Sequence, residues 1–156
     1  MSITIREAGP ADADVILDID RAFSRVFAQA ASYERLVEQN GVVLLVALAE
    51  KICGFAACSR VLDEATLLNF VVVPEARSQG VARQLLDMLI GLLADMGVAR
   101  LLLEVRESNV IAQTLYLSAG FTRDGQRAHY YPTQDGGAAE TAVLMSRQLE
   151  IQIAST

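Results

Sequence analysis

Two polar side chains stand where a plain apolar core would not put them. Glu104 interrupts the run Leu101-Leu102-Leu103-Glu104-Val105-Arg106, and Tyr116 lies within Leu115-Tyr116-Leu117-Ser118-Ala119-Gly120. An ionised carboxylate is rarely left unpaired among apolar neighbours. One explanation pairs Glu104 with Arg106, two residues on and therefore on the same strand face. The other makes Glu104 a general base, acting directly or through a water, with desolvation raising its pKa toward the useful range. A phenol with a pKa of about 10 keeps its proton at neutral pH and can return it to a leaving group. On a helix, Tyr116 shares its face with Ala112 and Ala119, small residues that leave room beside the ring. The plain alternative makes it a core aromatic beside Leu115.

A third feature is Val71-Val72-Val73-Pro74-Glu75-Ala76-Arg77-Ser78-Gln79-Gly80-Val81-Ala82-Arg83-Gln84-Leu85-Leu86, an apolar strand running through a short loop into an amphipathic helix. Small residues at Gly80 and Ala82 let a ligand approach the backbone. The first-turn N–H groups of the helix have no internal partner, and the helix dipole adds positive potential there. Together they make a seat for a pyrophosphate. No Gly-Lys-Ser/Thr follows, so the segment is not a P-loop, and its spacing is not the Gly-x-Gly-x-x-Gly of dinucleotide folds. A tight loop with small residues for packing is the alternative.

The elements that must position these groups follow from periodicity. Ile3 to Arg6 reads as a first strand. Pro10 and Asp12 introduce a helix placing Val15, Ile19, Phe23 and Val26/Phe27 on one face. A second helix, Ser32 to about Gln39, ends at the turn Asn40-Gly41. Val42–Ala49, Ile52–Leu62 and Thr66–Val73 follow in close succession as an antiparallel meander, turning at Glu50-Lys51 and Asp63-Glu64. In the Gly80 helix Leu85, Leu86, Leu89, Leu92, Leu93 and Met96 point inward, and Gly97 is its left-handed cap. Leu101–Val105 then lies parallel to Thr66–Val73 through a right-handed crossover. Ser108-Asn109 caps a helix that Gly120 stops, and Asn109 can serve both as cap and as ligand contact. Thr122–Tyr131 and Thr141–Leu149 close the sheet around the loop-like Pro132–Gly137. The expected architecture is a mixed α/β sheet with ligand access at the junction of the two parallel strands.

Composition bounds the function class. The 156 residues read as a single domain over 1–156, long enough for a substantial core. Hydrophobic residues make up 53%, yet no apolar run reaches membrane-spanning length, and the N-terminus carries no signal-like segment. Cys53 and Cys58 form no disulfide framework, and with the lone His129 they form no metal site; a reducing cytoplasm is the simplest setting. A net charge of −6 argues against nucleic acid as a partner and is compatible with a cationic substrate.

The loop Arg77–Ala82 matches the Gln/Arg-x-x-Gly-x-Gly/Ala signature of the GNAT acetyltransferases. From about Val61 to Met145 the chain resembles the ribosomal-protein-alanine N-acetyltransferase branch of that superfamily. The resemblance rests on Leu62–Asn69, Leu103-Glu104-Val105-Arg106-Glu107-Ser108-Asn109, Leu115–Phe121 and Tyr130-Tyr131-Pro132-Thr133-Gln134-Asp135-Gly136. It implies a GNAT fold: a central, mostly antiparallel sheet of about seven strands with one splayed parallel pair, flanked by about four helices. It implies acetyl-CoA as cosubstrate and no metal, with Glu104 as base and Tyr116 as acid. Backbone groups of Phe70, Val71 and Val72 would hold the acetyl and pantetheine end. Arg77, Ser78, Gln79, Gly80, Val81, Ala82 and Arg83 would surround the pyrophosphate, and Asn109 would touch the cofactor. Tyr130 and Tyr131 would bind a substrate peptide; otherwise they are an aromatic pair at the rim of a sheet. Chains of this branch usually carry a His-x-x-Pro-Trp-like segment facing the acceptor. Here Arg21-Ala22-Phe23-Ser24-Arg25-Val26-Phe27 stands there, without proline, and the chain has no tryptophan.

For such chemistry a phenol at about 10 protonating a thiolate whose conjugate acid lies at about 8.5 works uphill by roughly 2 kcal/mol. Neutralising an α-amine of pKa near 8 at pH 7.4 costs under about 1 kcal/mol, against about 4 kcal/mol for lysine. The arithmetic favours an N-terminal amine over lysine, and the resemblance implies as acceptor a protein N-terminal alanine or serine of a small-subunit ribosomal protein. The rivals are another peptide, a small free amine, or a regulatory domain that binds acetyl-CoA without turning it over.

Overall fold

The computed structural model describes residues 2–24, 30–131 and 139–150, with backbone alone at 30–32 and 129–131. Its elements are β1 (Thr4–Glu7), α1 (Ala13–Phe23), α2 (Ala30–Glu38), β2 (Val42–Leu48), β3 (Ile52–Val61), β4 (Glu64–Val72), α3 (Val81–Asp95), β5 (Arg100–Arg106), α4 (Val110–Ser118), β6 (Thr122–Tyr131) and β7 (Glu140–Gln148). They form one seven-stranded sheet in the order β1-β2-β3-β4-β5-β7-β6, with β4 and β5 parallel and every other pairing antiparallel. This is the expected mixed α/β architecture with four helices. Among the described residues no helix is long and apolar enough to cross a membrane.

Strand alternation sorts the apolar side chains onto two faces. Val43, Leu45 and Ala47 of β2 join Leu85, Leu86, Leu89 and Leu93 of α3 and Tyr116 of α4 in one cluster. Leu44 and Val46 join Ile16 and Leu17 of α1 and Tyr33 of α2 in the other. The sheet is therefore a middle layer between two helix pairs.

One irregularity controls the site. Ala57 pairs with Asn69 while the next residue, Cys58, pairs with Leu67, so Leu68 is an extra residue in β4. A single inserted residue exchanges the two faces of everything beyond it. Before the bulge Ala65 and Leu67 pack toward α3 and α4; after it Phe70 and Val72 do, while Leu68 and Val71 pack toward α1 and α2.

Two expected faces are corrected. On α1 the buried residues are Ala13, Ile16, Leu17, Ile19 and Asp20, whereas Val15 and Phe23 are 42% and 44% exposed. The buried stripe follows Ala13, Ile16, Leu17 and Asp20 at spacings of three and four, and Asp20 is accommodated there by accepting the Asn69 carboxamide at 2.9 Å. Val26 and Phe27 lie outside the described residues. On α3, Met96 is exposed at the C-terminal end, where the chain turns through Gly97 at φ +85°.

Candidate active site

The parallel strands β4 and β5 pair only at Glu64–Arg100, Ala65–Leu101 and Thr66–Leu102. Beyond that point β4 stays with β3 up to Val72, and β5 stays with β7 up to Arg106. The sheet thus opens between Asn69–Val72 on one lip and Leu103–Arg106 on the other.

Leu101, Leu103 and Val105 pack into the α3–α4 core, so alternation puts Glu104 on the opposite face, the side of α1 and α2. Tyr116 comes from the α3–α4 side, 6% exposed, its ring 6.3 Å from Phe70 and 5.6 Å from Phe121. The carboxylate and the phenol therefore address the opening from its two faces. Without the bulge Phe70 would point away from Tyr116.

The alternative that pairs Glu104 with Arg106 is not what the structure shows. Glu104 lies 3.4 Å from Arg127 of β6 and is 29% exposed at its side chain, so it is half-buried at the rim and not enclosed. Arg106 instead reaches Glu140 at the start of β7, 3.4 Å away. The same Glu140 accepts the Ser108 amide at 2.7 Å, and Ser108 together with Arg106 holds its carboxyl below the usual carboxylate range. This clip fixes the β5–α4 turn, and Asn109 caps α4 by accepting the Ala112 amide at 3.1 Å.

At the other end of the opening, Ser78 at φ +63° and Gly80 at φ +80° are both left-handed. Alternating backbone handedness turns successive N–H groups into one concavity, an anion nest. Helix α3 begins there with no side-chain cap, leaving its first-turn donors available. A Cβ at Gly80 would meet only Gln84 Nε2, at 3.9 Å, so open space lies over the loop. The loop is braced from behind: Arg77 Nε donates to the Val72 carbonyl at 3.1 Å and Gln79 Nε2 to that of Glu75 at 3.2 Å. Arg83 bonds Asp87 at 3.0 Å and Ser118 at 3.1 Å, joining α3 to the end of α4. Val81 is buried in the core beneath, and Ala82 packs partly against it. The nest and the space above it fit a pyrophosphate.

The structure therefore gathers Phe70, Val71, Val72, Glu104, Asn109 and Tyr116 around one opening, with Arg77–Arg83 at its end. The backbone of Tyr130 and Tyr131 closes β6, where Tyr131 pairs with Glu140, but their side chains lie outside the described residues, as does Pro132–Gly137. Sequence reasoning missed two features: Arg127 as partner of Glu104, and a buried polar cluster of Asp20, Ser24, Tyr33 and Asn69 behind β4. The second is created by the bulge at Leu68, which the run Leu67-Leu68-Asn69-Phe70-Val71-Val72 does not locate in the sequence.

Comparison with known proteins agrees with this geometry. The profile described as "Acetyltransferase (GNAT) family" matches residues 13–121. The chain is 48% identical over 100 residues to the [ribosomal protein bS18]-alanine N-acetyltransferase of Haemophilus ducreyi, covering 64% of this chain and 68% of that one. It is 49% identical over 96 residues to the Escherichia coli K12 protein of the same name, covering 62% of this chain and 64% of that one, just under two thirds of the relative's length. The crystal structure of the ribosomal-protein-S18-alanine N-acetyltransferase from Escherichia coli superposes with a TM-score of 0.87 at 33% identity, covering 99% of both chains. The opened sheet, the nest at the start of α3 and these similarities converge, and the chain belongs to the GNAT family of acetyltransferases.

Proposed function

We propose that this acetyltransferase moves the acetyl group of acetyl-CoA onto the N-terminal α-amine of a protein beginning with alanine or serine, a small-subunit ribosomal protein. The observation that carries this reading is the opening past Thr66 and Leu102, with Glu104 on one face and Tyr116 against Phe70 on the other. A thioester lying through that opening meets a carboxylate from one side and a phenol from the other. Backbone groups of Phe70, Val71 and Val72 hold its acyl end, residues 77–83 receive the pyrophosphate, and Asn109 lines the middle.

Glu104 takes a proton from the incoming ammonium, directly or through one water. The freed lone pair attacks the thioester carbon, the N–C bond forms and the C–S bond breaks. Tyr116 gives its phenolic proton to the departing sulfur, and the second proton of the attacking nitrogen, released as the neutral amide forms, returns to the Tyr116 oxygen directly or through water. Tyr130 and Tyr131 bind the peptide, opposite the first-helix region. The names carried by the two relatives support the acceptor, as does the lower cost of neutralising an α-amine than a lysine. A net charge of −6 draws in a basic peptide, whose KM rises with salt. The reading places the protein in the cytoplasm, as one domain, with neither nucleic acid, membrane nor metal as partner.

The test is steady-state kinetics of Glu104→Gln and Tyr116→Phe on an alanine-initiated basic peptide. Turnover should fall by roughly 10²–10⁴ for the first and clearly for the second, with acetyl-CoA affinity kept in both. Wild-type rates in both variants would remove the two residues from the chemistry.

A further inference from the structure

We propose that Asn69 is a positioning residue for acetyl transfer, locking the Phe70–Val72 lip of the opening to helices α1 and α2 through Asp20 and Tyr33. The inference rests on the reading that this opening seats the thioester, and adds what sets its geometry from behind.

Asn69 is 7% exposed, and Asp20 and Tyr33 are fully buried. The carboxamide faces two ways. Its oxygen accepts the Phe70 amide at 3.0 Å, next to the segment assigned to the acyl group. Its nitrogen donates toward Asp20 Oδ1 at 2.9 Å, Ser24 Oγ at 3.1 Å and Tyr33 Oη at 3.2 Å. Two protons cannot serve three acceptors fully, so these contacts are shared, and Ser24 closes the ring by donating to Asp20 at 2.6 Å. Burial pushes the Tyr33 hydroxyl well above its ordinary range, keeping it a neutral donor and acceptor. The bulge at Leu68 delivers Asn69 to this face.

Packing alone does not call for such a cluster. Replacing both partners of a buried hydrogen bond by apolar groups of the same shape is close to neutral, and an apolar filling would serve the α1–α2 core as well. What the polar groups add is direction. Hydrogen bonds tie the β4 backbone to two helices along fixed directions, which non-directional apolar burial does not specify. The chemistry is sensitive to that distance. Reacting atoms must come within about 3–3.5 Å, and a 1 Å misplacement can cost about 10²-fold in rate. Glu104 faces the α1–α2 side, so Asn69 ties the donor's lip to the side from which the amine arrives. Glu104 and Tyr116 remain the catalytic residues; Asn69 acts through the backbone.

The experiment compares wild type, Asn69→Ala, Tyr33→Phe, Asn69→Asp and the exchange double variant Asp20→Asn/Asn69→Asp. The readouts are kcat, KM for acetyl-CoA, Tm and NMR exchange of the Phe70 amide. Asn69→Ala should lose ten- to a hundredfold in kcat with KM for acetyl-CoA within about threefold, and Tyr33→Phe should show a smaller loss with the same split. Asn69→Asp sets two carboxylates together and should be severely impaired. The exchange variant rebuilds one carboxylate and one carboxamide, and should recover kcat to within about tenfold of wild type. Should Asn69→Ala fail to fold, Tyr33→Phe and the exchange variant carry the test. A lowered Tm with unchanged kcat, or kcat and KM falling together, would make the cluster simple core and overturn the proposal. If wild type leaves α-amine peptides unmodified, the acceptor assignment fails separately. Exchange of the Phe70 amide needs no acceptor: faster exchange in Asn69→Ala supports the proposal, and equal protection overturns it.

Discussion

Replacing Gly80 by valine separates ligand seating from folding, because its two consequences register in different measurements. The native φ of +80° lies in the left-handed region, where a side chain costs roughly 1–2 kcal/mol and a β-branched one is a marked outlier. That strain is carried by free and liganded enzyme alike, so it lowers Tm, by about 2–8 °C for a chain of this length, and cancels from Kd. At its Cβ the new side chain meets, among the described residues, Gln84 Nε2 at 3.9 Å, an ordinary contact distance. The space the side chain fills is the space over the nest. A pyrophosphate displaced from it loses hydrogen bonds to charged oxygens worth about 1.5–3 kcal/mol each, so losing one weakens binding by roughly tenfold to 150-fold. Calorimetry with acetyl-CoA, run beside a thermal melt, reads both effects. A Tm lowered as calculated with unchanged Kd would show that this loop does not seat the cofactor.

Three further expectations follow from other parts of the fold. A Cβ at Gly54 would lie 2.8 Å from the Val71 carbonyl oxygen and 3.3 Å from Val72 Cγ2, against the Phe70–Val72 lip of the opening. Gly54→Ala should therefore cost about 1–3 kcal/mol and slow turnover, checked by melts and initial rates; an unchanged Tm would contradict the packing. Burial pushes the Cys58 thiol up to about 12, so the native enzyme should resist iodoacetamide at pH 8 and react once unfolded, as read by mass spectrometry; its neutral form stabilises the fold below the ordinary thiol range, and that contribution is lost as pH rises toward 12. Hydrogen bonds from Arg6, and then the Gly9 amide, hold the Asp12 carboxyl below its usual value, so this clip between β1 and α1 is intact above the carboxylate range and lost as pH falls below it; Arg6→Ala should flatten that part of a stability-against-pH curve.

Much of the framework was legible because it depends on local signals. Gly41, Gly97 and Gly120 all take positive φ where the sequence places turns or helix stops, and Asn109 caps α4 as its position implies. The parallel crossover follows from strand–helix–strand order, and β4 and β5 do run parallel. What stayed hidden depends on partners remote in sequence. Asp20 looks like a solvent-facing residue of an amphipathic helix until Asn69, 49 residues away, is seen to receive it. Arg106 is the nearest cation to Glu104 along the chain, but the partner is Arg127, from a strand beyond β7. The bulge at Leu68 reassigns two faces with one residue, and alternation read from either end of β4 cannot locate it. At the candidate site, the backbone nest was legible from Gly80, but its bracing by Arg77 through the Val72 carbonyl was not.

The most direct test of the account is where the acetyl group goes. The purified protein would be incubated with acetyl-CoA and matched basic peptides beginning with alanine or serine, each in a free and an N-terminally blocked form, and the products sequenced by tandem mass spectrometry. The account predicts one acetyl group on the α-nitrogen of the free peptides, unmodified lysines, and no label on the blocked forms. Label on the lysines of a blocked peptide, or acetylation confined to free polyamines in a parallel reaction, would contradict it.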